Sequence, residues 1–334
     1  MPLPRGPLSE HVIRTLGRPP DEGSTLPVDD PSDVEDEQLA LFLLQQISYR
    51  PIVGVDPAWE DQPSLLVLRE RLEQAMEQRL RDLLMVPVCA PAAVPDALLA
   101  LIDGAEGPSL SDWLDSRGTL VHLQEFAVHR SAYQLQEADP HSFAIPRLAA
   151  GKAKTALLEL QMDEYGGHEP TEAHSVLFAQ TMRALGIDPD DGADIERLPA
   201  VTLATNTLLN RLGRTRRLVG ACIGHLAVFE MTSVEPMARY AAAIRRVLDG
   251  EDATAAARFF DVHVAADGLH ARLAMERLVD GFVEQYPADA PDLVFGAAAL
   301  MHVEHELTEH LLACWDAGNT SLRTPLESTR LRGL

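Results

Sequence analysis

The chain has 334 residues with 28 Lys+Arg against 51 Asp+Glu, a formal charge of −23, and 46% apolar residues with only 5% aromatic. So acidic a chain lacks the basic footprint that nucleic-acid or anionic-membrane binding requires. No apolar run is expected to span a bilayer, the first residues, MPLPRGPLSEH, lack a secretory apolar region, and Cys89, Cys222 and Cys314 form neither a disulfide framework nor a zinc spacing. A cytoplasmic protein with free thiols is the expectation.

Taken in chain order, residues 1–37 read as a disordered Pro-rich and acidic tail. Its stretch 21–37, DEGSTLPVDDPSDVEDE, holds eight acids and no base, a composition that buries too little surface to offset ordering entropy. Helical patterning begins near Leu39. Residues 64–85 place Leu65, Leu68, Leu72, Met76, Leu80 and Leu83/Leu84 at spacings of three and four, the helical period. Pro87 and Pro91 end that helix. Shorter helices are predicted around 94–103 and 109–117. Further ones follow over 119–138, 150–165, 172–185, 198–212, 216–232, 236–248, 254–285 and 291–317. Asp139-Pro140, Gly166-Gly167, Gly186, Pro199, Gly213, Pro236, Gly250, Pro287 and Pro291 punctuate them. Hairpin signals and fixed-period repeats are absent from the sequence. The prediction is an all-α fold of about nine to eleven helices. Its expected organisation is N-terminal helices over 38–118 on a core domain over 119–320, with a tail over 321–334.

The sharpest chemical feature is His263-Val-Ala-Ala-Asp267-Gly-Leu-His270. At about 100° per residue these three side chains leave one narrow helical stripe. Two imidazoles and a carboxylate suit iron, manganese or zinc. A solvated polar face is the alternative, but Val262, Val264, Ala265, Ala266 and Leu269 make the helix apolar nearly all round. Glu230, in GACIGHLAVFEMTS, sits in another apolar helix, where an isolated carboxylate needs a metal or a cationic partner such as Arg216 or Arg217. His225 points elsewhere on that helix. Glu164 and His174 flank the breaker-rich EYGGHEPTEAH, with Asp163, His168 and Glu172 as competitors. Glu137, in YQLQEADPH, is a fourth candidate.

Two further groupings have plainer explanations. MHVEHELTEH aligns His302, His305, Glu306 and Glu309, but it is not an HExxH motif, and a solvated face is expected. Cys222 with His225 admits a helical thiol hydrolase, although an inert buried cysteine is commoner. Ferritin-like di-iron bundles use two Glu-x-x-His motifs, and this chain has none.

The full set, Glu-x9-His, a lone Glu in an apolar helix, and His-x3-Asp-x2-His, resembles the haem-oxygenase-like di-iron oxidases and oxygenases, the iron-containing redox enzyme family. The flanking EADPHSFAIPRL, DEYGG, PAVTLATNTLLN and GHLAVFEMTS look like blocks of this family, over roughly residues 120–318. SYRPIVGVDPAWE through LRERLE resembles lead-in helices of many members. The resemblance implies a seven-helix core with extra N-terminal helices. It implies one iron on Glu164, His174 and a bridging Glu230, and a second, weakly held iron on Glu230, His263, Asp267 and His270. Glu137 matches a further carboxylate used by some members. Dioxygen as co-substrate, an external electron donor and a small carboxylate- or amine-bearing substrate are implied too. Family activities include oxidative decarboxylation, carbon–carbon cleavage and N-oxygenation. Candidate pocket residues are Tyr133, His141, Arg147, Asn206 and Arg239, with Arg147 or Arg239 as carboxylate partners unless they form ordinary ion pairs. No nucleic-acid or membrane partner is expected, and a homodimer is compatible with the reading. The rivals are the Cys222 hydrolase and a non-catalytic helical binding protein of the same fold.

Overall fold

The computed structural model describes residues 1–20, 30–86, 89–190 and 192–326, except for the side chain of Asp267. Its helices are α1 Pro7–Leu16, α2 Val34–Gln46, α3 Pro63–Leu83, α4 Val94–Asp103, α5 Leu110–Arg117, α6 Leu120–Gln134 and α7 Asp139–Ser142. They continue with α8 Lys152–Glu164, α9 His174–Ala184, α10 Ala200–Arg214, α11 Val219–Val247, α12 Gly250–Leu273, α13 Asp280–Gln285 and α14 Pro291–Asp316. No strand occurs among the described residues. The fold is all-α, as the sequence predicts.

α11 is the axis of the assembly, packed on α12 and α14, with α9 against α12 and α2 against α10. Its contact with α14 is made through glycine. A Cβ on Gly224 would lie 1.9 Å from the Leu293 carbonyl oxygen, and one on Gly296 would lie 1.9 Å from that of Ala221. The two helices therefore touch backbone to backbone. Of the stripe on α3, Leu65, Leu68, Leu72, Met76 and Leu80 are buried, whereas Leu83 is exposed.

Four expectations are corrected. The disordered tail over 1–37 is not one throughout. α1 buries Leu8, Val12 and Leu16 completely, and the buried Asp36 carboxylate accepts the Leu8 and Ser9 amides at 3.0 and 2.7 Å. One acid thus caps a neighbouring helix instead of standing in solvent; residues 21–29 lie outside the described residues. Pro236 does not divide a helix: α11 runs through it. A proline removes one i−4 hydrogen bond, and the packed neighbours on either side hold the helix across that gap. Arg216–Val247 is consequently long and apolar enough to cross a membrane, contrary to expectation, but 67% of its most apolar window is buried in the fold. The C-terminal tail also begins later than residue 321. Ser321 and Leu322 are buried, and Glu125 accepts both the Ser321 amide and its hydroxyl, at 2.8 and 2.6 Å. Residues 327–334 lie outside the described residues.

Candidate metal centre

α8 ends at Glu164 because the chain turns sharply at Gly166 and Gly167, which have φ of +87° and +60°. A Cβ on Gly166 would lie 2.5 Å from both Ala173 N and Glu169 O. Only glycine fits such a turn, and it delivers His174 at the start of α9, beside Glu164. Glu137 follows α6 with φ of +36°, a left-handed conformation that a non-glycine residue adopts at a cost of about 1–3 kcal/mol. α11 supplies Glu230, and α12 supplies His263 and His270.

These six side chains converge from separate elements and are 1–8% exposed. Glu137, Glu164, His174 and His263 offer ligand atoms within 4.8 Å of one another, as do Glu164, Glu230 and His270. The two groups share Glu164, whereas the resemblance implied sharing through Glu230. His263 sits with His174, ring centroids 4.2 Å apart. The backbone of Asp267 lies in α12, but its side chain is outside the described residues.

The hydrogen bonds at the edge of the cluster select which nitrogen faces inward. His263 Nδ1 donates to the Phe259 carbonyl at 2.8 Å, leaving Nε2 with its lone pair. His270 Nε2 donates to Asp163 at 3.0 Å, which turns Nδ1 toward Glu230 Oε2, 3.4 Å away. His174 Nδ1 and Glu164 Oε2 stand 2.7 Å apart. Yet Glu164 Oε2, His174 Nδ1 and His270 Nδ1 are all buried without a hydrogen bond of acceptable geometry. Buried polar atoms are normally satisfied. Inward-facing oxygens and ring nitrogens without a well-formed partner are what a cation could complete, displacing the imidazole protons, and imidazole with carboxylate is an iron-compatible donor set. The space between these side chains is about 10 Å³, which is atom-sized and excludes an organic molecule.

The electrostatics agree. Burial, with His174 beside it, pushes His263 down to about 4, so it is a neutral ligand at pH 7. Burial opposes charge on Glu164, but the neighbouring histidines outweigh it and hold this carboxyl down at about 2. Burial raises Glu230, and the nearby His270 offsets only part of that. Burial opposes charge on His270 too, yet Glu230 and Asp163 lift it to about 9.

Other expected residues fall differently. Tyr133 and His141 line the cleft, and the His141 and His225 rings are 3.3 Å apart, Nε2 to Nδ1. Arg147 does not reach the site: it donates to the carbonyls of Gly213 and Arg214 at the end of α10. Asn206 is spent on the Ala132 carbonyl at 2.8 Å, inside a buried amide network. Arg239 pairs with Asp112 and Glu235 near the surface. Arg217 takes Glu77 instead of Glu230. Cys222 is 1% exposed, burial pushes its thiol up to about 12, and His225 is directed at His141, so the thiol-hydrolase alternative lacks an activated nucleophile. His302 and His305 pair with Glu306 and Glu309 along the partly solvated face of α14. The Phe259 carbonyl carries no sequence signal, and Asp163, weighed only as a rival ligand, orients His270 instead.

Fold and site together define an all-α protein with a buried histidine–carboxylate cluster that could hold a cation. The family model for iron-containing redox enzymes matches residues 124–305, more than half of the 334, and the chain belongs to that family. It is also 28% identical over 152 residues to a nitrosourea synthase of Streptomyces achromogenes subsp. streptozoticus. That match covers 44% of this chain and only 31% of the relative.

Proposed function

We propose that the protein is a non-haem di-iron oxidase or oxygenase that uses dioxygen to oxidise a small carboxylate- or amine-bearing metabolite. The observation that carries this reading is the pair of overlapping ligand groups joined at Glu164. Glu137, Glu164, His174 and His263 would hold one iron; Glu164, Glu230 and His270 would hold the other, with Asp267 a further candidate. Iron bound there supplies the electrons and open coordination positions that dioxygen activation requires.

The chain's own contribution is geometric and electrostatic. The Phe259 carbonyl and the Asp163 carboxylate fix the tautomers of His263 and His270 before any ligand arrives. The buried cleft keeps bulk water from the reacting atoms. An external donor would supply electrons for repeated turnover. N-oxygenation of an amine is one member of the reaction class, and the similarity to a nitrosourea synthase favours testing it first.

The test is iron content after anaerobic Fe(II) loading. His263→Ala should lose iron from one site, and with it oxygen consumption, while Cys222→Ser retains both. Unchanged iron content in His263→Ala would show that the ligand assignment is wrong.

A further inference from the structure

A cavity of about 260 Å³ lies beside the ligand cluster and shares Phe229 and Ser233 with it. Its remaining walls include Phe126, Phe178, Phe259 and Tyr240, and Phe259 is the same residue that orients His263. The ligand cleft has no room for an organic molecule, so a substrate must approach from a neighbouring space, and this one borders it at Phe229 and Ser233.

The cavity is mostly apolar, with Gln134, Thr232 and Ser233 as neutral polar walls and one charged pair. Arg130 donates to both oxygens of Glu304, at 2.8 and 2.6 Å, joining α6 to α14. Their side chains are 13% and 26% exposed. This bond uses two of the five guanidinium N–H groups, and each carboxylate oxygen keeps a second lone pair. A lone carboxylate arriving here would meet an arginine already neutralised, and a lone ammonium would meet an equally neutralised glutamate. A head group carrying both signs engages both partners and adds no net charge to a low-dielectric site.

The helix register sets the direction in which such a molecule lies. On α6, Gln134 is one turn beyond Arg130, about 6 Å along the axis, and it leads toward Glu137. On the antiparallel α11, Ser233 lies one turn from Glu230, and Met237 and Tyr240 lie farther off along the same cavity.

We propose that this cavity is the substrate site and that it takes a zwitterion with an apolar body, in the manner of an aromatic or long-chain α-amino acid. The Arg130–Glu304 pair reads the head, and the apolar body points past Phe229 and Phe259 toward the ligand cluster. The assignment of substrate rests on the di-iron reading, but binding itself does not.

The test therefore uses metal-free full-length protein, titrated calorimetrically with L-phenylalanine, L-methionine and L-tryptophan. Each is compared with its analogues lacking the ammonium or the carboxylate, such as 3-phenylpropanoate and 2-phenylethylamine. At least one amino acid should bind with a Kd below about 1 mM, in the ordinary range for enzyme substrates. Both single-charge analogues should bind about tenfold or more weakly, the loss expected for a hydrogen bond to a charged group. Arg130→Gln and Glu304→Gln should each cost a similar factor. Met301→Trp, which narrows the cavity from its α14 wall, should abolish binding, and its cooperative thermal unfolding, measured alongside, should show that the variant is folded. No binding by any of the three, equal binding of the single-charge analogues, or indifference to Arg130→Gln and Met301→Trp would each overturn the proposal. Iron uptake, measured separately, should be normal in Arg130→Gln. Failure of iron uptake in the unaltered protein would instead sink the di-iron reading and leave the binding result standing.

Discussion

Two regions bury carboxylates, and they do so by opposite means. Between α3 and α10, Glu73 and Glu77 are 3% and 6% exposed. Arg211, itself 1% exposed, donates to Glu73 at 2.9 Å and to Glu77 at 3.2 Å, with Glu70 and Arg217 completing the group. Between α8, α9, α11 and α12, Glu164 and Glu230 are equally buried, but no Arg or Lys is hydrogen-bonded to either among the described residues. Their neighbours are imidazoles, and Glu164 and Glu230 lift His174 and His270 above the usual histidine range. Buried acid is thus no signature of a metal. What distinguishes the second region is that its cationic partners are imidazoles, which can give up a proton and bind a metal, whereas a guanidinium cannot.

Arg211→Met is expected to have the largest effect on stability. It removes the one buried guanidinium shared by Glu70, Glu73 and Glu77, and breaking such a buried pair costs about 3–5 kcal/mol. Urea denaturation should show that fall while iron content per folded molecule stays constant. Were iron lost in proportion, the two regions would not be independent.

Glu230→Gln should do the reverse in the metal-free protein. It removes a carboxylate whose charge burial penalises, and a gain of about 1 kcal/mol is expected. The same change should lower iron uptake, so metal-free stability and iron content should move in opposite directions. A destabilised metal-free variant with full iron content would contradict the contrast.

Acid titration of a variant isolates the ion-pair group, because Glu164 is also held at about 2 and contributes over the same range. Burial opposes the charge on Glu77, but Arg217 and Arg81 outweigh it and hold the carboxyl at about 2, below its usual 4.5. A depressed carboxyl contributes stability that is complete above 4.5 and is lost as pH falls toward 2. Glu77→Gln should flatten that part of the stability profile. If the acid limb is unchanged, the ion-pair group does not set it. The smallest effect belongs to Arg239→Ala, near the surface, where a change within about 0.5 kcal/mol is expected. A larger fall, or altered substrate binding, would restore a role that its position denies it.

Most of the candidate cluster was legible because a helix converts spacing into direction. His263 and His270 lie two turns apart, and no other element is needed to place them on one face. The breaker-rich stretch around Gly166-Gly167 was legible as two helix ends, and the positive φ values there give the reason. α1 was hidden because a ten-residue helix in a proline-rich lead-in is capped by the Asp36 carboxylate of another helix. The continuity of α11 through Pro236 was hidden for a related reason. A proline's local cost is visible in a sequence, and the packing that offsets it is not. Arg130 and Glu304 are 174 positions apart, and neither sits in a motif. Arg147 and Arg239 looked as suitable for a substrate carboxylate; only tertiary structure shows both already committed elsewhere.

The crossing of α11 and α14 at Gly224 and Gly296 has a consequence for how the site tolerates change. Elsewhere in the core, exchanging one apolar side chain for another shifts the separation of two helices by the width of a methyl group. At this crossing there is no side chain to exchange, and a carbonyl oxygen marks the stop. Glu230 lies less than two turns beyond it on the same helix. Its position is therefore measured from a fixed datum of main-chain atoms, so the surrounding walls can be recut for a different molecule without moving the carboxylate.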